Sequence, residues 1–261
     1  MTKRLDHRIE RILKLLLQRG SVSVEELVAS IDASAPSIRR DLARLESKGL
    51  VRRTHGGATL VQELLYEPYR YDTAFQHREQ QFVREKRHIG IAAAELIQEN
   101  ETIGFTAGTT TTWVARNLRH RNHLTVITNA VNIGMELCNM PGLQVHLTGG
   151  YVRWPWSFSL IGSAAIASLD NMFIDKLFLS VSGIDATRGT TTNESDEALT
   201  FRTMVKQAKQ VIVVADSSKL GIVTPSLICP IDDVDVLVTD MGARDEAAAA
   251  FLQKDIKVIR V

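Results

Sequence analysis

Ser34-Ala35-Pro36-Ser37-Ile38-Arg39-Arg40-Asp41-Leu42-Ala43-Arg44-Leu45-Glu46-Ser47-Lys48 is the stretch on which the reading of the chain turns. Wound at 100° per residue, it places Ile38, Leu42 and Leu45 within about 60° of one another. Ser37, Arg40 and Arg44 fall on the opposite side, with Arg39 at the flank. One face is built to pack and the other to stay in water. Ser34 can cap this helix, and Pro36 sits in its first turn, where a missing N–H costs nothing. Gly49 ends it.

The flanking residues give the helix its neighbours. Upstream, Leu5, Ile9, Ile12, Leu13, Leu16 and Leu17 recur at helical spacing as far as Gly20. Ser23-Val24-Glu25-Glu26 then has a serine followed three residues on by a glutamate, a pairing that satisfies two free backbone N–H groups reciprocally and marks a helix start. That helix runs to about Ile31, burying Leu27, Val28 and Ile31, with a short turn at Asp32-Ala33. Downstream, Leu50–Leu60 contains two short β-prone runs around Gly56-Gly57, a hairpin with Arg52, Arg53 and His55 near its tip. Three short helices with a tight second turn make a helix-turn-helix, and the hairpin makes a wing. Residues 1–60 are therefore expected to be a winged helix-turn-helix domain with Ser34–Lys48 as the helix that enters the major groove. Ser34, Ser37, Arg39, Arg40 and Arg44 on that helix, and Arg52, Arg53 and His55 on the wing, are the candidate DNA contacts. Arginine suits the task because its planar fork can pair with guanine O6 and N7 or clamp a phosphate. The plainer reading of the same residues is a solvated basic face.

Charge distribution agrees. The net charge of +1 over 261 residues conceals 12 Lys/Arg against 7 Asp/Glu in residues 1–60, and 19 against 23 in the remainder. A small basic module for a polyanion thus precedes a larger module that does not need one. No apolar run approaches the roughly 18 residues that cross a bilayer. The charged N-terminus does not read as a secretory signal, so a cytosolic location is expected. The 2 cysteines, Cys138 and Cys229, are far apart and outside any metal-ligand spacing. They are expected to be buried free thiols, and neither a metal nor a cofactor is expected.

Residues 61–85 read as a connector that becomes helical near Phe75, the helix continuing through Ile89, Ala93, Leu96 and Ile97 to about Glu99. Residues 86–261 form the larger domain. Its candidate strands are 102–105, 124–128, 143–148, 176–182, 210–215, 234–239 and 257–261, alternating with helical stretches. Several are apolar throughout, as strands covered on both faces are. The pattern predicts an α/β domain with a mainly parallel sheet, and in such sheets ligands bind at the carboxyl ends of the strands. Small and polar residues collect there: Thr106-Ala107-Gly108-Thr109-Thr110-Thr111-Thr112 leading into a helix, Thr128-Asn129, Thr148-Gly149-Gly150, Ser182-Gly183-Ile184-Asp185, Asp216-Ser217-Ser218-Lys219 and Thr239-Asp240. A glycine followed by hydroxyls and free N–H groups at a helix start makes an anion cradle; capping by threonine alone is the simpler alternative.

Both halves resemble the DeoR family of bacterial transcriptional regulators. Ser37–Leu42, Leu45–Leu50 and Arg53–Ala58 are similar to its N-terminal signature. Gly108-Thr109-Thr110, Thr128-Asn129, Thr148-Gly149-Gly150 with Arg153, Ser182–Asp185 and Asp216–Lys219 are similar to successive blocks of its sensor domain. That domain resembles the sugar-phosphate isomerase fold, and its members sense a phosphorylated sugar or related metabolite. The resemblance implies a ligand phosphate on Gly108–Thr111, Lys219 as counter-charge, and Asp185 or Asp216 as acceptors for sugar hydroxyls. Asn129, Gly149, Gly150, Arg153 and Gly183 complete the expected effector site. Two features depart from the pattern: Thr106 stands where the family has an aspartate, and Trp154-Pro155-Trp156 follows Arg153. The tryptophans read either as an apolar lid or subunit contact, or as packed surface-loop aromatics.

The expected function is a DNA-binding regulator, a repressor of carbohydrate metabolism genes, with operator DNA and a phosphorylated metabolite as partners. A homo-oligomer, dimer or tetramer, is expected, with no membrane association and no catalysis. A sugar-phosphate isomerase with a fused DNA-binding domain is the rival reading, and an activator of the same architecture is another.

Overall fold

The computed structural model describes residues 8–9, 11–12, 15–16, 19–31, 33–47, 51–54, 56–60, 73–118, 121–153 and 157–261. Leu5, Leu13, Leu17, Asp32, Lys48, Gly49, Leu50, His55, the connector from 61 to 72 and Trp154–Trp156 lie outside the described residues. The chain divides into two compact units, Met1–Tyr71 and Asp72–Val261.

In the first unit the described residues between 8 and 19 are helical, and Ile12 and Leu16 are fully buried. The helix Val24–Ser30 opens on the anticipated capping box. Ser23 Oγ accepts from the Glu26 N–H at 3.1 Å, and the Glu26 carboxylate accepts from the Ser23 N–H at 2.8 Å. Val28, expected in the core, is exposed. Leu27 and Ile31, four residues apart, already fill the stripe, and Val28 lies 100° round from Leu27. The helix Ala35–Ser47 buries Ile38, Leu42 and Leu45 as its periodicity requires. The wing holds one strand more than the hairpin anticipated: β1 (Ser21–Ser23), β2 (Val51–Arg53) and β3 (Gly57–Leu60) form an antiparallel sheet in the order β1-β3-β2. Gly57 permits it, because a Cβ there would lie 2.2 Å from the Val22 carbonyl oxygen.

The second unit opens with the helices Thr73–Gln80 and Val83–Ala94. One continuous helix was expected here. The chain instead breaks at Gln81-Phe82, where Phe82 takes a left-handed φ of 53°. Seven strands follow in the anticipated places: β4 (Thr102–Phe105), β5 (Leu124–Thr128), β6 (Leu143–Leu147), β9 (Ile174–Leu179), β12 (Ala208–Val214), β14 (Val236–Thr239) and β15 (Lys257–Arg260). All pair in parallel, in the order β15-β14-β12-β9-β4-β5-β6. Their alternating apolar residues, Phe105, Val126, Phe178, Ile212 and Leu237 among them, join one buried core. Between β6 and β9 lies a small hairpin of β7 (Tyr151–Val152) and β8 (Leu160–Ile161). Strands β10 (Gly183–Asp185), β11 (Gly189–Thr192) and β13 (Ser226–Cys229) make a separate antiparallel sheet. These strands are only three or four residues long and carry no period-2 apolar pattern, which is why the sequence did not announce them.

The sheet order places a switch point between β4 and β9. From β4 the chain steps outward to β5 and β6, then returns to β9 on the other side of β4 and proceeds to β12, β14 and β15. Connections leave the carboxyl ends of β4 and β9 in opposite directions, which opens a crevice there. Both cysteines are free, but only Cys229 is buried. Cys138 is exposed because it ends the helix Val131–Leu137, its thiol facing the Met135 carbonyl at 3.5 Å.

Candidate functional site

The helix Ala35–Ser47 is held in one rotation about its axis by a group that the wheel left out. Asp41 is 4% exposed and takes a paired interaction from Arg8, Nε to Oδ2 at 2.5 Å and Nη2 to Oδ1 at 3.2 Å. With Ile38, Asp41, Leu42 and Leu45 facing inward, Arg39, Arg40 and Arg44 are exposed and Ser37 is half-buried. The Ser34 hydroxyl meets the Ser37 hydroxyl at 3.1 Å, while its carbonyl accepts from the Ile38 N–H at 3.0 Å. Arg40 reaches back to the Pro36 carbonyl and the Ser37 hydroxyl, both at 3.5 Å. On the wing Arg52 and Arg53 are exposed, but Arg53 is tied to Glu46, whose carboxylate takes its N–H at 3.0 Å and its Nε at 3.3 Å. Glu46 thus fixes the wing to the helix Ala35–Ser47 and offsets part of the Arg53 charge.

In the second unit a cavity of about 400 Å³ lies at the β4/β9 switch point. Its floor is Ala107, Gly108, Thr109 and Thr110 from the end of β4, with Ser180, Val181 and Ser182 from the end of β9. Gly108 is required by closeness: a Cβ would sit 2.1 Å from Ser180 Oγ and 2.3 Å from Ser180 Cβ. The helix Thr109–Arg116 starts here with no side-chain cap, so its first N–H groups remain for whatever enters. The four threonines divide their work. Thr109 and Thr110 line the cavity. The Thr111 hydroxyl donates to the Thr106 and Gly108 carbonyls at 2.8 and 2.9 Å, and that of Thr112 to Gly108 at 2.7 Å.

Of the other anticipated effector residues, Arg153, Asp216 and Lys219 line this cavity. Asp216 is 1% exposed and caps the turn Ser217–Lys219, accepting from the Ser218 N–H at 3.2 Å and from the Ser218 hydroxyl. Thr111, Asn129, Gly149, Gly150, Gly183 and Asp185 are not among the lining residues. Asn129 is fully buried beneath the floor, its amide oxygen taking the Ala107 N–H at 2.9 Å and its amide nitrogen donating to Ser159 Oγ at 2.8 Å. Asp185 closes the β10–β11 turn by accepting from the Thr187 and Arg188 N–H groups at 2.9 and 2.8 Å. Gly149 donates its N–H to Ser168 Oγ at 3.1 Å, Gly150 turns at φ 112°, and Gly183 packs under the Ile222 carbonyl. Thr106, where the family has an aspartate, is fully buried and bridges the switch point, its hydroxyl accepting from the Ser180 N–H at 2.9 Å.

Lys86, Arg78 and Glu197 line the cavity without having been anticipated. Lys86 is 4% exposed, and its ammonium donates to the Arg78 carbonyl and, at 2.7 Å, to that of Gln81. Burial pushes its pKa down to about 8, against the opposing pull of Asp216. It therefore pins the end of the helix Thr73–Gln80 and the turn after it, from which Arg78, Gln81 and Phe82 line the cavity. The sequence held a signal for this residue. Lys86 stands three residues before Ile89 on the buried stripe of its helix, and a lysine on such a stripe is not there to pack. Glu197 repeats the pattern four residues before Phe201. Among the described residues no group of metal-ligating side chains is present, and no helix is long and apolar enough to cross a membrane.

A helix-turn-helix with a wing, followed in the same chain by a parallel α/β unit with a polar-lined cavity at its switch point, is the architecture of a DNA-binding regulator with a sensor domain. The family models described as "DeoR-like helix-turn-helix domain" and "DeoR C terminal sensor domain" match residues 8–63 and 81–241. The chain belongs to the DeoR family of transcriptional regulators. It is 35% identical over 233 residues to the HTH-type transcriptional regulator GlpR of Haloferax volcanii, covering 89% of each chain. It is 32% identical over 235 residues to the HTH-type transcriptional repressor GlcR of Bacillus subtilis, covering 90% of this chain and 88% of that one. Among solved structures, ribose 5-phosphate isomerase from Plasmodium falciparum is similar at a TM-score of 0.39 and 14% identity over 51% of each chain.

Proposed function

We propose that this regulator is a repressor of genes for carbohydrate use, released or tightened by a phosphorylated sugar bound at the β4/β9 switch point. One observation carries the effector reading: an uncapped helix N-terminus, Lys86 and Lys219 converge on one cavity. Together they offer N–H donors, helix dipole and ammonium charge to a single anion. Repression is supported by relatives named as repressors. Ser34, Ser37, Arg39, Arg40 and Arg44 are assigned to the major groove and Arg52 to backbone phosphates, with Arg53 weakened in that role by Glu46. His55 keeps its assignment from sequence alone.

A sensor is favoured over an isomerase because each carboxylate on the cavity is engaged: Glu197 accepts from the Ser157 and Thr192 hydroxyls, and Glu194 pairs with Arg153. Asp185 and Asp216 are held by backbone N–H groups, and Thr106 offers no carboxylate for proton abstraction. The protein acts as a homo-oligomer that presents paired reading helices. The test joins the two ends of the molecule. Thermal-shift measurements against phosphorylated sugars identify stabilising compounds, and each is then titrated into a gel shift on DNA selected from a random duplex library. A compound that raises Tm and also changes DNA affinity is the expected result. Stabilisation with no effect on DNA binding would overturn the regulatory reading, and isomer interconversion by the purified protein would overturn the choice of sensor.

A further inference from the structure

The cavity is electrically lopsided. At one end stand the helix N-terminus at Gly108–Thr110, Lys86 and Lys219, with Asp216 and Arg78 beside Lys86. At the other end Glu194 and Glu197 flank Arg153, whose guanidinium lies 2.9 Å from Glu194 and 3.6 Å from Glu197. The Glu197 side chain is 10% exposed, and its two oxygens also accept from the Ser157 hydroxyl at 3.3 Å and the Thr192 hydroxyl at 2.9 Å.

We propose that this far end selects for hydroxyl groups and against a second anion, so that the site takes a singly phosphorylated polyol and rejects bisphosphates and phosphorylated sugar acids, with Glu197 as the specificity-determining residue. The inference rests on the reading of the near end as the phosphate site. Two carboxylates answer the single Arg153 guanidinium, so the far end presents N–H donors without a net attraction for anions. A sugar hydroxyl both donates and accepts, and uses a carboxylate oxygen and a guanidinium N–H together. A second phosphate can do only the latter. To reach Arg153 it must displace Glu194, whose side chain is half-exposed and free to leave, and it then still faces Glu197. Glu197 cannot retreat, since it is held by two hydroxyls in a place with little water to screen the repulsion.

Calorimetric titration of the full chain with matched compounds tests this. The pairs are glucose 6-phosphate against glucose 1,6-bisphosphate, fructose 6-phosphate against fructose 1,6-bisphosphate, and glucose 6-phosphate against 6-phosphogluconate. The member with one anionic group is expected to bind at least tenfold more tightly. Glu197→Gln is expected to narrow that margin at least threefold by admitting the doubly charged member. Glu194→Gln, on a half-exposed side chain, shifts it in the same direction and covers the case in which the first variant does not fold. Equal or tighter binding of the doubly charged members by the unaltered protein overturns the proposal, as does a margin unmoved by both substitutions. Failure of the underlying reading looks different: inorganic phosphate and every monophosphate then leave the protein's Tm unchanged, and the proposal falls with it.

Discussion

Lys86 shows how one side chain can make a binding site sensitive to pH. Its ammonium is desolvated, with a pKa near 8, and an anion entering the cavity raises that value by favouring the charged form. Binding above pH 8 therefore takes up a proton, so affinity for a phosphomonoester falls as pH rises from 7 to 9, by up to about tenfold per unit. The phosphomonoester itself is already doubly ionised over that range, its second pKa being about 6. Titrations at pH 7, 8 and 9 check this; Lys86→Met should weaken binding at pH 7 and flatten the profile, and a flat profile in the unaltered protein would remove Lys86 from the anion site. On the first unit, Arg40→Ala is expected to cost roughly 1–3 kcal/mol of operator binding, concentrated at one base position. Arg52→Ala should instead weaken specific and non-specific DNA binding alike and lower the salt slope by about 1. Gel shifts across a salt series separate the two. Periodicity made Ile38, Leu42 and Leu45 legible as core and Arg40 and Arg44 as surface. It passed over Asp41, Lys86 and Glu197, because a wheel sorts side chains by polarity and each of these is a charged group on the buried side. What they share is a partner outside their own helix: Arg8 for Asp41, the Gln81 carbonyl for Lys86 across a left-handed turn, Thr192 and Ser157 for Glu197.

At the scale of elements, the inner strands of the large sheet were readable because runs such as 211–214 and 236–238 are covered on both faces and so are apolar in sequence. The polar strands of the β10-β11-β13 sheet were not, since Gly189–Thr192 is buried through hydroxyl hydrogen bonds rather than apolar contact. That hidden sheet leads into the far end of the cavity through Thr192, so half of the site was out of reach of periodicity. The break at Phe82 was equally hidden, because it has no glycine or proline to mark it. Arg116 ties the helix Thr109–Arg116 to its neighbours. It lies over the Trp113 ring at 5.0 Å and meets Glu79 of the first helix and Glu136 of Val131–Leu137, each at 2.9 Å. Arg116→Ala leaves Glu136, 8% exposed, without its partner and should lower stability by about 3 kcal/mol, read as a shift in denaturant midpoint. Gly108→Ala should abolish the ligand-induced rise in Tm, because the added methyl collides with Ser180 at the floor.

At the scale of the molecule, the division at Tyr71/Asp72 predicts that residues 72–261 fold alone and keep the thermal response to phosphorylated sugars while losing DNA binding. Loss of the response in that fragment would mean that the cavity depends on the first unit. Full-length protein on DNA should prefer paired half-sites about one helical turn, roughly 34 Å, or a multiple of it apart. Footprints on selected sequences measure that spacing. The lopsided cavity has a consequence for descent as well as for binding. The residues assigned to the anion come from the end of β4, the helix after it, Lys86 and Lys219, whereas Arg153, Thr192, Glu194 and Glu197 come from other segments of the chain. Substitutions in the second set can change which metabolite is heard while the first set keeps the signal strong. The helix at Ala35–Ser47, on a separate unit, goes on answering to the same operator. On this assignment a gene duplicate can change its effector before it changes its target.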